Sequence, residues 1–145
     1  MIVRSYSASD KEAVMQLLSN LPKLYPGAAD WLERTLDLSL EKQATCWLAE
    51  EQTIIGIIIL KPKGSKLKIA NFYVAESARR QGVGQTLLHH TLDEWQNYQE
   101  VFITLAPESK LTVMPFLAPY GFQEVAISKD RYRPGYDEII LVRKK

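Results

Sequence analysis

The stretch "VAESARRQGVGQTLL", residues 74–88, sets two adjacent arginines, Arg79 and Arg80, just before two glycines, Gly82 and Gly84, and then an aliphatic helix-like run. The first backbone N–H groups of a helix have no partner inside it, and the helix dipole makes that end positive. Glycine has no Cβ, so a ligand can approach the main chain closely there. With the arginines adding charge, the combination suits a phosphate or pyrophosphate. A nucleoside-triphosphate loop would continue Gly-Lys-Ser/Thr, whereas Gly84 is followed by Gln85 and Thr86. A dinucleotide fingerprint would need a third glycine near position 87, which is Leu87, and a tighter turn than residues 75–81 allow.

Other reactive side chains carry less. His89 and His90 fall inside the helix that follows the glycines, without a cluster of partners, and no metal role is read for them. Cys46 is the single cysteine, so an intramolecular disulfide is excluded; between Thr45 and Trp47 it reads as a small buried hydrophobe. Lys61, Lys63, Lys66 and Lys68 make a basic hairpin, read as a solvated edge that guards against strand pairing.

The elements that must position these groups follow from periodicity. "IVRSY" (2–6) alternates as a strand. The next run has a helical stripe of Ala13, Val14, Leu17, Leu18 and Leu21, with Ser9 and Glu12 as a capping box and Pro22 ending the helix. "YPG" (25–27) makes a loop. A second helix over "AADWLERTLDLSLEK" turns Trp31, Leu32, Thr35, Leu36 and Leu40 to the core. Residues 44–74 read as a three-stranded meander with turns at "EEQ" and "KPKGS". A third helix runs from Val83 to about Asn97, and "EVFITLA" (100–106) is a buried strand. Residues 109–122 are helical in part, restricted by Pro115 and Pro119, and "FQEVAI" and "DEIILV" are final strands joined by "RPGY". The order β-α-α-β-β-β-α-β-α-β-β predicts an α+β (mixed α/β) domain over residues 1–145. Its sheet is mostly antiparallel with helices on both faces, and one parallel pair is bridged by the third helix.

Composition narrows the function classes. The 145 residues are 46% hydrophobic and 24% charged, ordinary for one soluble globular domain. A net charge of +1 argues against broad nucleic-acid binding. The N-terminal stretch lacks the long apolar run of a signal peptide, and the longest apolar run, "TIIGIIIL", is too short to span a bilayer. A cytoplasmic protein without a membrane partner is expected, as a monomer or homodimer.

Arg79-x-x-Gly82-x-Gly84, in its strand-loop-helix setting, resembles the Arg/Gln-x-x-Gly-x-Gly/Ala signature of the GNAT superfamily of acyl-CoA-dependent N-acyltransferases. The resemblance covers nearly the whole chain: "IVRSYSASDKEAVMQLL" looks like that family's first strand and helix, and "PYGF" (119–122) like its glycine-phenylalanine near the C-terminus. It implies that main-chain amides of Arg79, Arg80, Gln81, Gly82, Val83 and Gly84 hold the pyrophosphate of acetyl-CoA. It implies also that the end of the preceding strand, Phe72, Tyr73 and Val74, pairs with the pantetheine arm. A splay between the fourth and fifth strands would then let the thioester reach the acceptor amine.

The chemistry so implied is acyl transfer to an amine that must lose a proton, from an unperturbed pKa of ~10.4 for a lysine-like group. The amide of Val74 is the expected donor to the carbonyl oxygen as its charge grows. Where family members carry Phe-Tyr before the Gly-Phe pair, this chain has Phe116 and Leu117, so Tyr120 is the displaced candidate for the acid, with packing as its other reading. Where some members carry a glutamate six residues before the valine, this chain has Lys68. Asn71 could orient a water, and Glu108, Asp137 and Glu138 are carboxylates at strand ends. Tyr25 and Trp31 fall where the family lines its acceptor groove. The lysine hairpin could also meet the ribose phosphate of CoA or an RNA. The leading expectation is an acetyl-CoA-dependent N-acetyltransferase of a small amine, amino acid or protein amine. A non-catalytic acyl-CoA-binding regulator and a toxin-type acetyltransferase of aminoacyl-tRNA are the alternatives.

Overall fold

The computed structural model describes residues 1–145, except the side chains of Leu24 and Arg133. Its elements are β1 Ile2–Ser5, α1 Lys11–Leu17, α2 Leu21–Leu24, α3 Ala28–Leu40, β2 Thr45–Glu51, β3 Thr53–Lys63 and β4 Lys66–Val74, followed by α4 Val83–Trp95, β5 Glu100–Leu105, α5 Lys110–Leu117, β6 Gln123–Arg133 and β7 Tyr136–Lys144. The strands form one seven-stranded sheet in the order β1-β2-β3-β4-β5-β7-β6. Every neighbouring pair is antiparallel except β4 and β5, which the α4 crossover makes parallel.

Two cores sandwich the sheet. On one face Leu60, Leu67 and Ile69 pack with Val83, Leu87, Leu88 and Trp95 of α4. On the other, Leu48, Ile57 and Ile59 pack with Val14, Leu18, Leu32 and Leu36 of α1 and α3. The run "IIGIII" can serve both because alternate side chains of a central strand face opposite sides. Gly56 sits in that run where α4 comes closest: a Cβ there would lie 3.0 Å from Leu87 Cδ1 and 3.1 Å from Val83 Cγ1. Cys46 is buried as expected, and burial pushes its thiol up to about 12.

The first helical region differs from its expected form. The cap lies upstream of Ser9 and Glu12: the Asp10 carboxylate accepts from the Ser7 N–H at 2.9 Å and from Ser7 Oγ at 3.1 Å. Arg4 selects that position by donating twice to Asp10, at 2.8 Å each, while also reaching Glu50 at 3.1 Å. The Arg4 hydrogen bonds hold Asp10 down at about 2 against the opposing effect of its burial. The helix stops at Leu17, and Pro22 starts α2 rather than ending α1, since a proline is well placed in a first helical turn. Ala13 and Leu40 are exposed, outside the expected stripes.

The lysine hairpin is corrected more fully. β3 and β4 are interior strands and the sheet edges are β1 and β6, so the hairpin guards no edge. Lys66 pairs with Glu100 at 3.4 Å, and Lys68 turns inward over the sheet. Helix α5 tolerates Pro115, and β6 and β7 are longer than expected, joined at Pro134 and Gly135.

Candidate functional site

The ladder between β4 and β5 ends early. Only Lys66↔Glu100, Leu67↔Val101 and Lys68↔Phe102 pair, and beyond them the strands part. The edge of β4 from Ile69 to Val74 that faces β5 therefore has no ladder partner, and a cleft of about 960 Å³ opens beside it. A bulge sits at the same place. Ile59 pairs with Asn71 and Leu60 with Ile69, so Ala70 is an extra residue in β4. Past it, Asn71 lies opposite Ile59 on the α1/α3 face, and Phe72 lies opposite Ile58 on the α4 face.

At one end of the cleft α4 begins. Gly82 is its N-cap at φ 79°, and among the described residues no side chain caps the helix. Arg80 also has positive φ, 66°, so the loop turns tightly before the glycine. A Cβ on Gly82 would meet nothing within 4 Å, which leaves its surroundings open. Gly84 is different: its Cβ would lie 3.4 Å from Phe72 Cζ, 3.5 Å from Val74 Cγ2 and 3.6 Å from Phe116 Cε1, so it seats the helix on the strand. Arg79 donates from Nε to the Val74 carbonyl at 3.0 Å and lies 5.4 Å from the Tyr73 ring centroid, which ties the loop to the strand end. Arg79, Arg80, Gly82, Val83 and Gly84 all line the cleft, as do Phe72, Tyr73 and Val74; Gln81 is exposed and is not in the lining.

These features fit an acyl-CoA. The uncapped amides at α4 suit its pyrophosphate, and the open β4 edge offers backbone groups to the amides of a pantetheine arm.

The other end of the cleft is polar and aromatic. Tyr25 and Trp31, from the start of α3 and the loop before it, line it together with Asn71. Tyr25 donates to Glu138 Oε1 at 3.1 Å, and Glu138 is only 2% exposed. Asn71 Oδ1 is buried without a hydrogen-bond partner among the described residues, and an oxygen so placed suits an N–H donor carried by a ligand. Trp31 also packs on the α1/α3 core. Of the three carboxylates read from the sequence, Glu138 is buried in the cleft wall, Glu108 lies exposed at its rim, and Asp137 is exposed and outside it.

Tyr132, a cleft residue, escaped the sequence reading, as did its neighbour Thr104. The β6–β7 ladder is irregular between Ser128 and Arg133, with Asp130 at φ 53°, and this returns Tyr132 over the sheet face. Its hydroxyl accepts from Lys68 Nζ at 2.7 Å, Arg131 Nε at 3.1 Å and Thr104 Oγ1 at 3.4 Å. Burial pushes the Tyr132 phenol up, but these hydrogen bonds, Lys68 first, outweigh it and bring the group down to about 8. The only sequence signal was Lys68 itself, a cation where some members of the resembled family carry an acid.

Tyr120, expected as a candidate acid, lies elsewhere. Its ring centroid is 5.5 Å from that of His89 and 6.0 Å from that of Trp95, and it is not among the cleft-lining residues. The local reason is the 3₁₀ turn Ala118–Tyr120, which ends at Gly121 with φ 90° and carries the side chain back onto α4. This placement favours packing for Tyr120. Leu117 is fully buried, while Phe116 lines the cleft and meets Phe72 edge-on at 6.5 Å.

The profile of the acetyltransferase (GNAT) domain matches residues 23–139. No curated protein sequence matches the chain. Among solved structures, a GNAT-family protein from Desulfovibrio desulfuricans superposes with a TM-score of 0.81 at 19% identity, over 99% of this chain and 98% of that one. A GNAT family acetyltransferase from Elizabethkingia anophelis with acetyl-CoA bound gives 0.73 at 22% identity, over 99% and 97%. The ribosomal-protein-S18-alanine N-acetyltransferase from Escherichia coli gives 0.76 at 19% identity, over 99% and 92%. At these identities the likeness is one of fold. Among the described residues, no helix is long and apolar enough to cross a membrane.

Proposed function

This chain belongs to the GNAT acetyltransferase family, and we propose that it moves the acetyl group of acetyl-CoA to a primary amine. The observation that carries the reading is the cleft along β4, with an uncapped helix start at one end and a buried carboxylate at the other. The solved relative with acetyl-CoA bound supports the first half of that reading.

The amides from Arg79 to Gly84 would hold the pyrophosphate, and the β4 edge from Phe72 to Val74 the pantetheine arm. The thioester then lies where β4 and β5 part, with the Val74 amide as donor to its carbonyl oxygen. Glu138, steadied by Tyr25, places negative charge in the wall and draws a cationic amine into a cleft that otherwise carries the cations Lys68, Arg79 and Arg80. Asn71 Oδ1 accepts one N–H of that amine, and Tyr25 and Trp31 shape the space around it.

Turnover of acetyl-CoA against a panel of small amines, amino acids and N-terminal peptides, read as thiol release, tests the proposal. Release that depends on the amine supports it. Acetyl-CoA binding without release for any amine would favour the non-catalytic acyl-CoA-binding reading.

A further inference from the structure

We propose that Tyr132 is the group that takes the proton from the acceptor amine, held ready for this by Lys68. The proposal rests on the transferase reading above and names a residue which that reading leaves open.

Three donors converge on one phenol oxygen: Lys68 Nζ, Arg131 Nε and Thr104 Oγ1. They come from three strands, β4, β6 and β5. An oxygen that accepts from two cations and a hydroxyl is stabilised as an anion, because each donor is better satisfied by phenolate than by phenol. Packing elsewhere would need one hydrogen bond at most. Tyr132 also lines the cleft, where it meets Tyr25 edge-on at 6.0 Å, and Tyr25 in turn holds Glu138.

The charges around it favour the same direction of transfer. Lys68 Nζ lies 5.2 Å and Arg131 Cζ 5.5 Å from the Tyr132 ring centroid, and Glu138 stands beyond Tyr25. Lys61, opposite Lys68 in the β3–β4 ladder, adds a further positive charge. An ammonium brought beside Tyr132 meets three cations, Lys68, Arg131 and Lys61, against two anions, the phenolate and Glu138, so the neutral amine is preferred there. The glutamate position of the family's fourth strand is Lys68 here, and a lysine cannot take a proton while it holds its own. It can hold a phenolate that does.

The step balances as follows. The acceptor ammonium gives one proton to the Tyr132 phenolate and becomes neutral. Its lone pair forms the N–C bond to the thioester carbon. The C–S bond breaks, its electron pair leaves on the CoA sulfur, and the second amine proton passes to that sulfur. Tyr132 releases its proton to solvent, which restores the phenolate and accounts for the one proton set free per turnover.

Two measurements on the full chain decide it. The ultraviolet absorbance of tyrosinate, followed against pH in the wild type and in Tyr132→Phe, should differ by one ionisation near about 8. Lys68→Met, which keeps the stem and removes the donor, should move that ionisation upward. In turnover, kcat/KM for two accepted amines of different pKa should share an inflection at the same pH. Tyr132→Phe should abolish that inflection and lower kcat by about 10²- to 10⁴-fold with acetyl-CoA affinity unchanged. A Tyr132 ionisation at the ordinary value of ~10 overturns the proposal. So does a wild-type rate profile in Tyr132→Phe, or an inflection that disappears in Glu138→Gln instead. Absence of turnover with every amine would remove the transferase reading and the proton transfer with it, while the absorbance titration would still report the phenol separately.

Discussion

Glu138 and Tyr120 exchange standing once the chain is folded. Glu138 is 2% exposed and accepts from Tyr25, so a cationic amine at this end of the cleft meets a desolvated carboxylate. Hydrogen bonds to charged groups contribute about 1.5–3 kcal/mol. Glu138→Gln should therefore lower kcat/KM for the amine by roughly 10- to 150-fold and leave acetyl-CoA affinity near wild type, as calorimetric titration would show. Tyr120→Phe should turn over at close to the wild-type rate, because its ring packs between His89 and Trp95 away from the cleft. A large loss in that variant would return Tyr120 to the chemistry. The sequence placed Glu138 level with Asp137, its neighbour, since alternation on an unlocated strand cannot say which of two adjacent carboxylates turns inward. Tyr132 was invisible for a related reason. Its position depends on an irregular ladder around Asp130, and local propensity carries no sign of a contact made 64 residues away with Lys68.

At the scale of elements, strand and helix types were legible because their periods were clean, and boundaries were not where side chains from other elements intervene. The α1 cap is the clearest instance. Ser-x-x-Glu at 9–12 is a good local pattern, but Arg4 on β1 holds Asp10 with two hydrogen bonds and shifts the start of the helix. This pair has a stability consequence with a definite sign. The Asp10 carboxyl is depressed to about 2 in the folded chain, so its contribution is complete above the unfolded value of ~3.9 and is lost as pH falls through about 2. Asp10→Asn should cost on the order of 1–2 kcal/mol in denaturant unfolding at neutral pH, and the difference from wild type should shrink between about pH 4 and 2. A difference that persisted undiminished in acid would assign the loss to the cap geometry alone. Gly56 offers a second test. Val83 and Leu87 leave no room for a branched side chain there, so Gly56→Val should destabilise the fold by about 1–3 kcal/mol. Nothing in "TIIGIIIL" marks that glycine as a helix contact, because the helix that presses on it comes 27 residues later.

Over the whole molecule, β4 is the axis of the proposed function. It runs from the lysine turn to the glycine-rich helix start, roughly 25 Å at the usual rise per residue. The end proposed to bind phosphate was legible in the sequence because one contiguous segment builds it. The opposite end was legible only in part: Tyr25, Trp31, Asn71 and Glu138 were named, but Thr104 and Tyr132 were not, because α3, β4, β5, β6 and β7 each contribute a side chain. This separation predicts how the two positively charged regions divide their work. Charge alone would let either the arginine loop or the lysine hairpin hold the cofactor's phosphates. Only the loop also presents uncapped main-chain amides, and it does so beside the open edge of β4. Lys66 is already paired with Glu100, and Lys61 and Lys63 flank the far turn. Acetyl-CoA at about 100 times its Kd should stabilise the folded chain by about 2.7 kcal/mol, visible as a rise in Tm. The triple variant of Lys61, Lys63 and Lys66 to Gln should keep that rise, with Lys68 left intact for Tyr132. Gly82→Asp should abolish it, since a carboxylate at the helix start repels pyrophosphate where the glycine admits it. The same variant should still fold: its Cβ meets nothing within 4 Å, and Asp is among the few residues that visit the left-handed region that Gly82 occupies. A cofactor-induced rise that survives in Gly82→Asp but disappears in the lysine variant would place the phosphates at the hairpin and reverse the cleft.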